Sequence, residues 1–382
     1  MSTPPSAETV VEVVSTLSGV DIAEWNALAG DDPFLAHAYL HALHETGCAS
    51  AETGWAPQYL LLRRGGRLAG AMPLYLKTHS YGEYVFDWAW ADAHARHGLE
   101  YYPKLLCAVP FTPVPGPRLL AADSTDRALL ARGALALARD LGVSSLHCLF
   151  PPEAEAADLA AAGCLLRKGV QFHWQNAGYP DFEAFLATFN HEKRKKIRQE
   201  RRRVRDTGVV FEAVPGRAAT DADWRYFARC YADTYRRHHS TPYLNLDFFH
   251  ALAAGMPDNL VLFIGRRDGK PVCASLIVRT ATRACGRYWG STETLPGLHF
   301  EACYYQPLEY CIAQGLERFE GGAQGEHKMA RGLMPVETRS AHWLARPEFA
   351  RAIDEFLARE RRGVSLYLDE LEERSPFRRE PG

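Results

Sequence analysis

One strand-turn-strand pattern occurs in each half of this 382-residue chain, and it constrains the fold more than any other feature. In the first copy QYLLLRR, starting at Gln58, meets Gly65-Gly66 and continues as RLAGAMPLYLK to Lys77. In the second, LVLFIGRR from Leu260 meets Asp268-Gly269-Lys270 and continues as PVCASLIVR to Arg279. Two apolar segments closed by a short Gly-containing turn predict a β-hairpin. Their flanks repeat as well. Helices are predicted at Asp21 to Leu28 and Phe34 to Glu45 before the first hairpin, and at Asp223 to His238 and Leu246 to Ala254 before the second. An aromatic strand is expected after each, YGEYVFDWAW from Tyr81 and GRYWGST from Gly286. Then His97-Gly-Leu-Glu-Tyr-Tyr-Pro-Lys-Leu-Leu stands against His299-Phe-Glu-Ala-Cys-Tyr-Tyr-Gln-Pro-Leu as a pair of helix starts.

The order helix, helix, hairpin, strand, helix, strand argues for two mixed α/β (α+β) domains made by duplication; a solenoid needs shorter and more numerous units. The length suits two cores. The expected division is a disordered tail over 1–20, a first domain over 21–178 and a second over 179–382, the latter including a basic helix over 191–206. Tyr179-Pro180-Asp181 offers a turn and an N-cap near the junction, and Gly208 a helix stop. Phe300, Cys303, Tyr304, Pro307, Leu308, Cys311, Ile312 and Leu316 share one stripe of a long helix, in which Pro307 must kink the helix or remove one backbone bond.

Several functional classes are disfavoured. No run of eighteen apolar residues offers a membrane span, and the N-terminus has neither the basic nor the apolar region of a secretory signal, which points to the cytoplasm. Nine cysteines without a C-x-x-C pair fit a reducing compartment and make a zinc ribbon or disulfide scaffold a poor reading. Net charge is −2, but His191 to Arg205 (HEKRKKIRQERRRVR) carries nine Lys/Arg against two Glu, +7 in one segment, leaving −9 for the remainder. Such a run can hold phosphates through Lys195, Lys196 and Arg198, or can simply keep a long helix soluble.

The hairpin order, the duplication, the Lys/Arg helix followed by Gly-x-x-Phe, and Trp224…Phe227…Tyr231…Thr234…Arg237 resemble the Fem-type branch of the GNAT superfamily. The strings YGEYVFDWAWAD, YYPKLL, VPFTPV, QFHWQN, HFEACYY and FEGGAQGEHK resemble the FemAB-like predicted N-acyltransferases of bacteria, over about Asp32 to Trp343. That resemblance implies two tandem GNAT-type folds, each with a V-shaped splay near the strand after the hairpin, where GNAT enzymes hold an acyl donor. It implies an N-acyltransferase. The Gln/Arg-x-x-Gly-x-Gly/Ala loop that cradles coenzyme A pyrophosphate in ordinary GNAT enzymes has no match in STETLPGLHF (Ser291 to Phe300), as in Fem-type relatives, which take an aminoacyl group from charged tRNA and pass it to a peptidoglycan precursor.

The readings of individual residues follow. His299 or Glu301, at a helix start, could take the proton from an attacking amine, or could be a packed ring and a helix-capping acid. Glu326, His327, Lys328 and Arg331 form a polar loop after Gly321-Gly322 that suits catalysis or anion binding, and otherwise a solvated turn. Tyr304 is placed with the substrate. Tyr84, Asp87, Trp88 and Trp90 form an aromatic wall beside an acid, for an amine or sugar, or else a Trp-rich core. His173 and Trp174 are expected at a substrate cleft. No H-E-x-x-H pair supports a metal, and none is expected.

The leading expectation is transfer of an acyl group from acyl-CoA or a carrier-protein thioester to a small-molecule or peptide amine by direct attack, with no permanently bound cofactor. The alternatives are an aminoacyl-tRNA-dependent transferase and an inactive GNAT-like binding module. A homodimer is compatible with either enzyme.

Overall fold

The computed structural model describes residues 8–323 and 325–378. Two compact units are present, one formed by residues 1–169 and 337–365, the other by 170–336 and 366–382. The chain therefore returns to the first unit after completing most of the second, a return that a division into consecutive halves does not include.

The first unit starts with β1 (Thr9–Val14), α1 (Ile22–Ala29) and α2 (His37–Glu45), then β2 (Trp55–Pro57), β3 (Tyr59–Arg64), β4 (Arg67–Met72) and β5 (Leu74–Lys77). It continues through α3 (Trp88–Arg96), β6 (Lys104–Cys107), β7 (Leu120–Ala121), α4 (Ser124–Asp140), β8 (Ser145–Leu149) and α5 (Glu153–Ala161), and leaves along β9 (Leu165–Gln175). The first hairpin is β3–β4. The disordered tail expected over 1–20 is corrected in part: Thr9–Val14 pairs antiparallel with β3, while residues 1–7 lie outside the described residues.

Two further expectations fail here. Trp88 to Trp90 belong to a helix, because Asp87 stands at its N-cap and the buried positions Trp90 and His94 repeat at helical, not strand, spacing. The aromatic strand is therefore a loop followed by α3. His97 to Leu106 is not the counterpart of the helix at His299 either, since YYPKLL runs into β6. β6 pairs in parallel with β8, and α4 lies between them in sequence.

The second unit contains α6 (Phe182–Ala187), α7 (His191–Asp206), β10 (Val210–Pro215), α8 (Asp221–Arg237), α9 (Leu246–Gly255), β11 (Leu260–Arg267), β12 (Lys270–Arg279) and β13 (Arg283–Ser291). A helix follows, α10 (Leu298–Phe300) passing through a π-helical turn (Glu301–Tyr305) into α11 (Gln306–Ala313), then β14 (Arg318–Glu320) and a 3-10 turn over Glu326–Arg331. The strands run β10-β11-β12-β13-β14-β9. The second hairpin is β11–β12. Phe172, Trp174, Phe182, Phe185, Phe189, Tyr305, Leu308 and Phe319 fill a core between this sheet and its helices. The basic segment is helical, with Asn190 Oδ1 accepting from the Lys193 amide as N-cap and Ile197 and Val204 turned inward.

Only Arg283–Cys285 of β13 pair with β14, in parallel with Arg318–Glu320, and β13 then runs on to Ser291 without that neighbour. This is the splay. On its far side α8 crosses β13 at Gly290, where an added Cβ would stand 2.0 Å from the Cys230 carbonyl oxygen, so only glycine permits the approach. In the second unit the order helix, helix, hairpin, strand, helix, strand ends in the parallel pair of β13 and β14; the first unit adds α3 and short strands to that order and ends it in the parallel pair of β6 and β8, and the architecture is two tandem GNAT-type units of mixed α/β class.

The chain re-enters the first unit along β15 (Met334–Leu344), antiparallel to β8, and continues into α12 (Pro347–Glu373), whose residues from Leu366 onward count with the second unit. One sheet face in this unit is apolar, with Leu105, Cys107, Leu146, Cys148 and Ala341 against α4. The opposite face carries Lys77, Lys104, Ser145, His147, Ser340 and His342, all of them buried.

Candidate functional site

A recess of ≈ 100 Å³ opens at the splay in the second unit. Ser275 and Ile277 of β12, Gly286 to Trp289 of β13, and His299, Cys303, Tyr304 and Pro307 of the helix line it. The π-helical turn explains how that helix presents these side chains. The Gln306 amide reaches back five residues to the Glu301 carbonyl. The next donor in that register would be residue 307, and proline has none. The Ser275 hydroxyl takes its place, donating to the Ala302 carbonyl at 2.6 Å. Extra turns of this kind are common where a helix serves a functional site.

His299 packs against Trp289 (ring centroids 4.6 Å apart) and edge-on to Tyr304 (5.7 Å). Neither of its ring nitrogens meets a hydrogen-bond partner among the described residues. Burial, with the positive charges of Arg331 and Lys328 nearby, pulls its pKa down to about 4, so the ring is neutral and basic at neutral pH. Tyr304 Oη lies 3.2 Å from His327 Nε2, and burial raises the Tyr304 phenol far above its usual range. Burial likewise lowers His327 and brings Lys328 down to about 8. Lys328 Nζ donates to the Gly322 carbonyl at 2.9 Å.

Other residues expected in one site do not line this recess. Glu301 faces the other side of the helix, where Arg201 grips it through Nε (3.1 Å) and Nη2 (3.0 Å) and Gln306 Nε2 donates at 2.7 Å. Arg331 donates to the His327 carbonyl and to Glu200, and its guanidinium lies 3.4 Å from the Phe300 ring centre. Glu326 accepts from Tyr367 Oη at 2.6 Å and faces Arg374, on the exposed rim of the loop. His173 is buried in β9 beside Gln171, its pKa lowered to about 3 by burial, and Trp174 is part of the core. Lys195 and Lys196 are exposed on α7, and Arg198 pairs with Glu183 at 2.5 Å.

In the first unit Trp88 is exposed, Tyr84 is half-buried and Trp90 is core. Asp87 belongs to a buried network instead of an aromatic wall. Lys104 Nζ binds Asp87, Glu83 (2.9 Å) and the Ser80 hydroxyl (2.7 Å). Tyr101 Oη donates to Asp87 at 2.6 Å and meets His147 Nε2 at 2.9 Å, and His147 Nδ1 lies 2.8 Å from His342 Nδ1. Burial keeps His147 and His342 neutral, His147 at about 3. Among the described residues, no three His, Cys, Asp or Glu side chains are grouped to hold a metal ion, and no helix is long and apolar enough to cross a membrane.

The sequence reading missed Ser275, Arg287, Tyr288, Trp289 and Cys303 as recess residues. The available signal was GRYWGS, which puts aromatic and cationic side chains on a strand that lacks a neighbour along half its length.

The model of the FemAB-like family, described as "Peptidogalycan biosysnthesis/recognition", matches residues 16–379. No curated protein matches the chain. Among solved structures, FemX is 11% identical over 91% of this chain and 100% of its own, with a TM-score of 0.53. A conserved protein of unknown function from Bacteroides thetaiotaomicron is 11% identical over 88% of this chain and 100% of its own, at 0.52. A tandem GNAT protein from the clavulanic acid biosynthesis pathway is 13% identical over 89% of this chain and 99% of its own, at 0.46. At such identities the likeness is one of fold.

Proposed function

The chain belongs to the FemAB-like family, and on that premise we propose that it transfers an acyl group from a thioester, acyl-CoA or a carrier-bound equivalent, to an amine, in the recess between β13 and the helix at His299. The observation that carries this reading is His299: a ring kept neutral by burial, with neither nitrogen hydrogen-bonded among the described residues, lining the recess at a GNAT-type splay. The amine attacks the thioester carbonyl, a C–N bond forms, and His299 takes the proton that the nitrogen must lose. The C–S bond breaks, and the Tyr304 hydroxyl, which stays protonated at neutral pH, supplies a proton to the departing thiolate.

Of the two sequence candidates for base, His299 is the better placed, because Glu301 is already bound by three donors. Lys328 and Arg331 contribute positive charge behind the two histidines. Purified protein given a panel of acyl-CoAs and amines should release free thiol; no release across the panel, together with no CoA binding by calorimetry, overturns the reading.

Aminoacyl-tRNA as donor is the second reading. It is favoured by the seven cations of α7, Lys195 and Lys196 among them, that meet no carboxylate among the described residues. On this reading charged tRNA is deacylated faster than it hydrolyses spontaneously, and reversing the charges of Lys195, Lys196 and Arg198 removes that acceleration.

A further inference from the structure

A second depression in the same unit lies on the other flank of the π-helical turn. This groove of ≈ 540 Å³ is lined by Arg198, Arg201, Arg202 and Arg205, by Val204 and Val209 to Phe211, and by the acids Glu183, Glu301 and Glu309. The four arginines are spaced i, i+3, i+4 and i+7, one face of α7 beside the stripe of Ile197 and Val204 that fixes the helix to the core. The acids are committed: Glu183 to Arg198, Glu301 and Glu309 to Arg201. Arg202 and Arg205 have no carboxylate or hydrogen-bond partner among the described residues.

The groove is not only cationic. Val210, on the edge strand β10, is 72% exposed, and the half-buried Phe211 lines the groove next to it. A solvated charge run accounts for the arginines and leaves the exposed apolar edge unexplained. A polyanion such as RNA uses the guanidinium fork and gains nothing from Val210. A ligand with a phosphate at one end and a hydrocarbon chain at the other satisfies both features, since two guanidinium forks without a partner among the described residues match phosphate oxygens and the apolar edge of Val210 and Phe211 can cover methylene groups.

We propose that this groove binds a phosphorylated amphiphile, an alkyl phosphate ester or phospholipid, with the phosphate between Arg202 and Arg205 and the chain along Val210 and Phe211. The site is separate from the acyl-transfer recess, so it stands whether or not the thioester reading holds.

Calorimetric titration with decyl phosphate below its micelle concentration tests it, beside inorganic phosphate and a single-stranded RNA of mixed sequence. Decyl phosphate should bind at least tenfold more tightly than inorganic phosphate, and its affinity should fall at least tenfold in the R202Q/R205Q double variant and in Val210→Glu. All three residues are exposed, and unchanged melting midpoints would show that the variants still fold. Equal affinities for decyl and inorganic phosphate, loss in R202Q/R205Q but not in Val210→Glu, no binding of decyl phosphate, or RNA binding tighter than that of decyl phosphate would each overturn the proposal.

Discussion

Ser275 donates its hydroxyl to the carbonyl of Ala302 at 2.6 Å, supplying the donor that Pro307 lacks. The helix thus keeps its π-helical turn through a side chain from a neighbouring strand, and the turn is what aims Cys303 and Tyr304 into the recess. Ser275 is buried, so its loss would leave a carbonyl without a partner, at a cost of about 1–3 kcal/mol. Ser275→Ala is expected to lower the melting midpoint by several degrees and to reduce thiol release through a higher KM. An unchanged melting curve would mean that water replaces the hydroxyl.

The pair His299→Gln and Glu301→Gln separates chemistry from architecture. His299 packs against aromatic rings and has no hydrogen-bond partner among the described residues, so its replacement should leave stability nearly intact and lower acyl transfer by about 10²–10⁴-fold, the usual contribution of a general base. Glu301→Gln keeps one accepting oxygen but removes the carboxylate charge that the Arg201 guanidinium faces, and should cost about 2 kcal/mol, of the order of hydrogen bonds to charged groups. Urea unfolding beside thiol-release kinetics reads both. A Glu301→Gln protein of normal stability with no activity would reverse the assignment of the base.

With His299 as the proposed base, its depressed pKa would set the acid limb of the rate profile. An unperturbed imidazole would lose its basic form as pH falls through its usual value near 6.5, whereas His299 keeps it down to about 4. The enzyme-side contribution to kcat/KM is therefore expected to be flat from pH 5 to pH 7 in the same plot in which free imidazole would titrate. The same shift raises stability with pH between about 4 and 6.5, because there the unfolded state binds more protons than the folded one. A break in kcat/KM near pH 6.5 with an acceptor amine of low pKa would show that another group is the base.

Both hairpins were legible in the sequence because each depends on local chemistry, Gly65-Gly66 and Asp268-Gly269 between apolar strands. The segment Asp87 to Arg96 was not. W-A-W-A-D-A alternates as a strand does, and only tertiary burial of Trp90 and His94, four residues apart, reveals the helix. Pairing His97 with His299 failed for a related reason: the Tyr-Tyr-x-x-Leu spacing is shared, but Lys104 and Leu105 continue into a strand in parallel register with β8, a long-range relation with no local signature. At the recess, His299, Tyr304 and His327 stood out as chemistry-bearing residues. That Glu301 turns away from them depends on the register of a helix whose π-helical turn is fixed by a serine on another strand.

The network around Lys104 gives the prediction with the clearest pH signature. Its ammonium is fully buried and shared between Asp87 and Glu83. Burial pushes Glu83 up to about 7 despite that pairing, so its contribution to stability is complete below its ordinary value near 4.5 and declines as pH rises to about 7. Asp87 behaves oppositely: burial opposes ionisation, but the Lys104 ammonium, with hydrogen bonds from Lys104 and Tyr101, holds its carboxyl below the usual range, and its contribution is lost only in strong acid. Lys104→Met removes the shared cation and leaves two carboxylates in a dry interior, which should cost about 3–5 kcal/mol at pH 8. At pH 5 both acids can be protonated in the folded variant, so the deficit should shrink substantially. Urea unfolding of wild type and variant at the two pH values measures the difference; a deficit of equal size at both would show that lost packing, not the uncompensated carboxylates, is responsible.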